Sequence, residues 1–377
     1  MWARFFIPVL ALFYIASKVT IEEFALIMGV FALATLLLEI PSGVIADLLG
    51  KKKTLIISRS LYLVELFMIA FYDGFWIFLI AKIISGIGVS LSSGTDQALL
   101  YDTLKKLKRV SEHKKISGNL QTITSISMAL VFIIGAYLFS LNPKLPAILS
   151  IPFVGIGFIL TFFLEEPYLS SKKLSFKNSI THLKEGLSYF KNHNYIKYLA
   201  FYSVPLVATI SICLSISSAY LEAILIPISL IGVVAFVGSL LASFASKQTY
   251  KWEAIIGERK SFFITQMGIL LGVALMSLMI PKIGFIFLLI IQFVSGYFYV
   301  FVNHYTNHHI ETSHRATMLS IKNMFNNLGI FIMFPTIGYI TKTHTMQKGF
   351  IFLGGVLIIY FVVLYFYSKK LNLNLVR

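Results

Sequence analysis

Apolar runs return about every 25 to 35 residues along the whole of this 377-residue chain, and no other feature constrains its fold as tightly. Most of the runs are long enough to cross the roughly 30 Å hydrocarbon core of a bilayer as a helix. They are near-continuous rather than alternating, which excludes the spanning strands of a barrel. Charged residues make up only 13% of the chain, against about 25% in a soluble domain. The sequence reads as an all-α polytopic membrane protein, with the lipid bilayer as its solvent.

Twelve spans are expected, near residues 2–17, 23–46, 54–72, 76–100, 117–140, 146–164, 196–222, 226–249, 261–280, 283–310, 317–341 and 348–368. The formal net charge of +16 is a matter of orientation rather than of nucleic acid. With the N-terminus in the cytoplasm, the cytoplasmic segments hold 24 of the 32 lysines and arginines, Arg4 among them. The outer loops hold five (Lys18, Lys144, Lys282, Lys342 and Lys348), and Arg59, Lys82 and Lys322 lie inside spans. Such asymmetry places both termini in the cytoplasm of a cell membrane and sets the basic loops against an anionic inner leaflet. The single cysteine, Cys213, sits in an apolar span and reads as a small core residue, with no disulfide framework.

One stretch interrupts the series. Residues 165–195 are polar and basic, with Ile180, Leu183, Leu187 and Phe190 at helical spacing. They read as a cytoplasmic link with an amphipathic helix on the membrane surface. The link joins two pseudo-symmetric six-helix bundles, residues 1–164 and 196–377. Internal repetition supports the division: Ser85-Gly86 recurs as Ser295-Gly296 at a lag of 210, and Gly50-Lys51-Lys52-Lys53 as Gly257-Glu258-Arg259-Lys260 at a lag of 207. Weak symmetry of this kind marks carriers whose substrate site lies between the halves. At the same lag the first span begins two or three turns late, so a shortened first helix, or a start upstream of Met1, is expected.

Between the second and third spans lies Gly43-Val44-Ile45-Ala46-Asp47-Leu48-Leu49-Gly50-Lys51-Lys52-Lys53. This G-x-x-x-D-x-x-G-K-K-K resembles the signature loop of the major facilitator superfamily, and the twelve-span plan is similar over essentially the whole chain. In span 4, Lys82-Ile-Ile-Ser85-Gly86-Ile-Gly88 resembles an R-x-x-Q-G-x-G element of that family, with lysine for arginine and serine for glutamine. Residues 93–102 and 315–320 resemble bacterial efflux-type members. Two departures stand out. No proline follows Gly135 in span 5, where an antiporter element is expected. In the second-half loop Glu253 lies four residues before Gly257, and Thr249 replaces the leading glycine.

Gly43, lacking a Cβ, permits close approach of another helix. The resemblance implies that this neighbour is span 11 and that Asp47 faces its N-terminus, where the helix dipole favours a carboxylate. Lys51 and Lys52 are then expected to pair with Asp102. Together with Gly50 these residues form a gate that ties the halves on the cytoplasmic side when that side is closed. The plainer alternative is a short hairpin whose lysines only enforce topology.

Ionisable groups inside spans cost about 2.5–3.5 kcal/mol each on insertion scales, so each is a functional candidate. Glu39, Glu65, Lys82 and Asp96 are the coupling candidates; Lys82 takes the place of an arginine linked to proton coupling in the resembled family. Snorkelling is the alternative for Lys82, about 9 Å from its helix end. Glu39 reads equally as a structural hydrogen-bond partner, and Glu222 and Lys322 as boundary residues. The substrate cavity is expected among spans 1, 4, 7 and 10, which offer Tyr14, Ser85, Tyr202, Ser215, Tyr297 and Asn303. That aromatic, hydroxyl-rich set suits a small amphipathic, drug-like molecule. Pro205 is expected to break or kink span 7.

The reading is a monomeric, proton-coupled secondary transporter that exports a small molecule, with proton-linked uptake of a nutrient as the alternative. It requires no cofactor, no metal and no catalytic residue. The remote alternative is a metalloenzyme: His304, His308 and His309 form an H-x-x-x-H-H pattern resembling one histidine box of membrane desaturases. A di-iron site needs several such boxes, and the other histidines are scattered singly.

Overall fold

The computed structural model describes residues 4–167, 186–310 and 315–370, and among them every regular element is helical. A 3-10 turn at Ile7–Val9 leads into α1 (Leu10–Ala16); α2 (Ile21–Leu49) and α3 (Lys51–Phe71) follow. Span 4 is split into α4 (Phe75–Ser92) and α5 (Thr95–Lys106), and α6 (His113–Leu141) and α7 (Leu145–Phe162) complete the first half. After a short helix at 186–192 (α8), the second half holds α9 (Asn194–Ser215), α10 (Ser217–Ala223), α11 (Ile228–Ile256) and α12 (Glu258–Met276). It ends with α13 (Phe285–His308), α14 (Arg315–Thr343) and α15 (Met346–Lys370). Among the described residues eleven helical segments are long and apolar enough to cross a membrane, and Ile7–Ala16 is a shorter apolar helix at the place of the first expected span. The two six-helix halves are therefore present, with a short first helix.

Local sequence explains most boundaries. Thr20 caps α2: its hydroxyl accepts from the Glu23 N–H at 3.3 Å, while the Glu23 carboxylate accepts from the Thr20 N–H at 2.8 Å. This reciprocal capping box satisfies two otherwise unpaired donors. Between α2 and α3 stands one residue, Gly50, with φ +88° and ψ 151°; between α11 and α12 stands Gly257, with φ +84° and ψ 157°. A side chain is strained in that conformation, so the 207-residue repeat survives as two matching glycine turns. The 210-residue repeat survives as packing. A Cβ on Gly86 would press on Ala34 and Phe31 of α2, and one on Gly296 would collide with Ala242 of α11.

Prolines do not set the helix boundaries. Helix α2 runs through Pro41-Ser42-Gly43 to Leu49, close to the expected end of span 2. Proline removes one backbone bond, and the Ser42 hydroxyl adds one by donating to the Glu39 carbonyl at 3.0 Å. Pro205 likewise lies within α9, and the interruption of span 7 falls at Ile216 instead. In the link, Ile180 and Leu183 lie outside the described residues. Phe190 is buried against Phe325, whereas Leu187 is exposed.

The halves touch through α2 with α14 and α6 with α11. The end of the bundle carrying Lys51–Lys53 is the basic face. On the opposite face the halves are closely joined: Gly29 of α2 sits against Pro335 of α14, Gly338 against Ala25, and Gly232 of α11 against Phe132 of α6. Lys342 pairs with Glu22 there at 2.5 Å, and the Leu12 N–H donates to Ser218 Oγ at 3.3 Å. Toward the basic face they part. A gap of about 830 Å³ opens between α6 and α11, with Gln121, Thr122, Ser125, Ser239 and Ser243 on its walls.

Candidate functional site

The Gly50 turn aims the first N–H groups of α3 at the end of α7. Glu166 accepts from the Lys51 N–H at 3.2 Å and the Lys52 N–H at 2.7 Å, a carboxylate on unpaired helix donors. The Lys51 ammonium pairs with Asp102 of α5. Lys52 contributes its backbone here and not the expected ion pair. Glu166 was invisible in the sequence reading, because its partner is a backbone 115 positions away.

Among the described residues the expected contact of this turn with α14 is not seen. No atom lies within 4 Å of where a Gly43 Cβ would stand, and Asp47 is exposed. The reason is the separation of the halves on the basic face. Glu39, one helical turn deeper in α2, still accepts from Asn323 of α14 at 3.4 Å.

The charges inside the first half collect into two groups. Arg59 Nη2 donates to both Asp96 oxygens at 3.0 and 3.3 Å. Deeper in the bundle, Glu65 is 1% exposed and holds two cations: Arg4 Nη1 at 2.9 Å from Oε2 and Lys82 Nζ at 3.1 Å from Oε1. The Arg4 guanidinium also lies 4.7 Å from the Tyr62 ring centroid, and Lys82 Nζ lies 5.4 Å from that of Phe31. Lys82 is buried and paired, so it does not snorkel. Arg4 corrects the sequence reading more sharply. It was counted among the cytoplasmic charges of a span ending, yet it stands inside the bundle because Glu65 requires a counter-charge. A partnership 61 positions apart leaves no periodic signal.

Arg4, Phe6, Ile7, Leu10, Met28, Phe31, Tyr62, Lys82, Ser85 and Val89 line a cavity of about 320 Å³. Of the expected cavity residues only Ser85 is there. Tyr14 is packed among Phe13, Phe24 and Phe78. The Tyr202 hydroxyl bonds Thr265 and the Phe262 carbonyl, and the Tyr297 hydroxyl bonds Ser261 at 2.6 Å. These tyrosines fill the bundles, since a span apolar all round does not announce which face meets a cavity. Ser215 ends α9. Asn303 accepts from the buried Lys322 Nζ at 2.9 Å, a neutral partner for a cation expected at a boundary. The rings of His304 and His308 lie 6.1 Å apart. Among the described residues no group of three or more His, Cys, Asp or Glu side chains is placed to hold a metal ion.

The family model described as Major Facilitator Superfamily matches residues 1–303 and again 206–374. No curated protein matches the sequence. Among solved structures, nucleoside transporter NupG is similar at TM-score 0.78 and 15% identity, over 98% of this chain and 95% of that one. A POT family transporter in complex with a thioalcohol-conjugated peptide is similar at TM-score 0.70 and 15% identity, over 98% and 94%. At such identities the likeness is one of fold.

Proposed function

Because the chain belongs to the Major Facilitator Superfamily, a family of transporters, we propose that it is a proton-coupled secondary transporter of a small amphipathic compound. The basic face is cytoplasmic by the positive-inside rule. The conformation described is then open toward the cytoplasm and closed outside. The two halves rock against each other, the cavity at Arg4 and Lys82 within the first half carries the solute, and a single chain suffices for the cycle. When the cytoplasmic side closes, Gly43 and Asp47 meet α14, and the Lys51–Asp102 pair and Glu166 hold the Gly50 turn in place for that contact.

The observation that carries this reading is the buried ion cluster beside a cavity. A charge inside a spanning bundle is costly unless paired, and here three charges are gathered where a solute can reach two of them. The stretches 93–102 and 315–320, similar to those of efflux-type members, support export. The excess of cations over carboxylates at the cavity favours an anionic solute in either direction, and proton-linked uptake is the alternative reading.

Transport in membrane vesicles with an imposed pH gradient tests the proposal. Gradient-driven accumulation of a toxic compound in inside-out vesicles supports export, and accumulation confined to right-side-out vesicles supports uptake. Accumulation that ignores the pH gradient contradicts proton coupling.

A further inference from the structure

We propose that the solute is an organic acid, and that its carboxylate binds Arg4 and Lys82 as a proton binds Glu65. The inference rests on reading the Arg4–Lys82 cavity as the solute site, and it adds the chemical class and the form of coupling.

The charges give the class. Two cations share one carboxylate, so the cluster carries one positive charge in excess. Arg4 and Lys82 line the cavity, whereas Glu65 stands behind them. A guanidinium and an ammonium already spanning one carboxylate form a seat of the right width for another, and a charge-assisted pair of this kind is among the stronger hydrogen bonds. Phe6, Phe31, Met28 and Val89 form the rest of the wall, which suits an apolar or aromatic body behind the acid group. A cationic compound would meet net repulsion. The volume of about 320 Å³ lies at the small end for ligand pockets.

Geometry also gives the coupling. A solute carboxylate on Arg4 and Lys82 lies near the Glu65 carboxylate in surroundings of low dielectric, and two such charges repel strongly. A proton on Glu65 removes that repulsion and releases both cations from their ion pairs. Proton and acid therefore favour each other's binding, and by linkage the effect is reciprocal. The other groups facing Glu65 are Ser85 from α4 and Tyr14 from α1; Tyr62 and Arg59 lie farther along α3 itself. Neither hydroxyl supplies a competing charge, which leaves Glu65 as the proton acceptor of the cluster. The charge balance is simple. The empty site holds one carboxylate and two cations; the loaded site holds a neutral Glu65, two cations and the solute carboxylate. Both carry one net positive charge, so loaded and empty carriers cross alike and the cycle moves acid and proton together without net charge. Acid and proton travel in the same direction, which is symport.

The test uses the purified full chain in proteoliposomes, with N-benzoyl amino acids as probes and their primary amides as controls. The expected result is uptake of the acids and not of the amides, driven by a pH gradient and unaffected by a valinomycin-imposed potential. Apparent affinity should fall about tenfold for each pH unit of alkalinity, as one linked proton requires. Glu65→Gln, a fixed neutral form, should keep exchange of acid across the membrane while losing accumulation driven by the gradient. A merely structural Glu65 would lose both in that variant. Where the variant does not fold, the potential-independence of the wild-type chain decides alone. Uptake that follows the potential, or amides moved as well as acids, overturns the inference while leaving a carrier in place. Amines or neutral solutes moved under the pH gradient, with the acids ignored, overturn the chemical class alone. No response of any solute to any gradient overturns the transporter reading as well.

Discussion

The two halves repeat the same backbone turns but differ in the interior of the bundle. At the Gly50 and Gly257 turns they match to within a few degrees in φ. Inside the bundle they diverge. Position 65 of the first half is a glutamate, and 207 residues on stands Gly272, packed against Ile291. Lys82 has Gln292 as its counterpart at the 210-residue lag; Phe31, under Lys82, has Gly238 at the 207-residue lag, and the Gln292 amide packs against Gly238. The first half thus holds an ion cluster at a cavity where the second fills the same space with a neutral amide. The second half satisfies its buried polar groups with hydroxyls instead, Tyr202 to Thr265 and Tyr297 to Ser261. The buried Lys322 of this half rests on an amide. The two halves share the glycine turns, and the buried ion cluster lies in the first.

The largest test of that contrast is to remove the charge. Glu65→Ala leaves two buried cations without their carboxylate and should cost about 3–5 kcal/mol, read as a fall in thermal stability in detergent and in yield. Gln292→Leu, at the matching place, should cost about 1 kcal/mol or less. Equal losses would break the comparison. The turns offer the converse, a place where the halves should respond alike. Gly50→Ala and Gly257→Ala each force a side chain into a backbone conformation costing about 1–3 kcal/mol. Gly50 should be the more sensitive, since the new Cβ would lie 3.1 Å from the Glu166 carboxylate.

Smaller effects are expected at the gates. Asp47→Ala should leave insertion and stability unchanged but slow transport about two- to fivefold, the equivalent of the roughly 0.3–1 kcal/mol that a carboxylate gains at a helix N-terminus. Unchanged transport would reduce the signature turn to a topological hairpin. On the opposite face the Lys342–Glu22 pair is exposed, and such pairs contribute little to stability. Lys342→Ala should leave the melting temperature where it is and increase labelling of cysteines placed in the cleft from the outside.

The spans and both repeat lags were legible in the sequence, because apolar length and glycine placement are local signals. Gly50 is the clearest case: its spacing in the motif foretold a turn, and its positive φ explains why glycine stands there. Partnerships across the fold were not legible. Glu65 and Lys82 stood out as charges in apolar runs, but Arg4 passed for an end charge and Arg59 for an unassigned one, since nothing local links Arg4 to Glu65 or Arg59 to Asp96. Tyr14, Tyr202 and Tyr297 were selected by span number, and span number does not say which side of a helix faces the cavity.

Lys82→Gln gives the most direct measurement, because it places in the first half the residue that the second half already has. Glu65 keeps Arg4 as its partner, so the chain should fold and insert. If the ion cluster of the first half performs the coupling, pH-gradient-driven accumulation in proteoliposomes should disappear in this variant. Undiminished gradient-driven accumulation by Lys82→Gln would contradict the account.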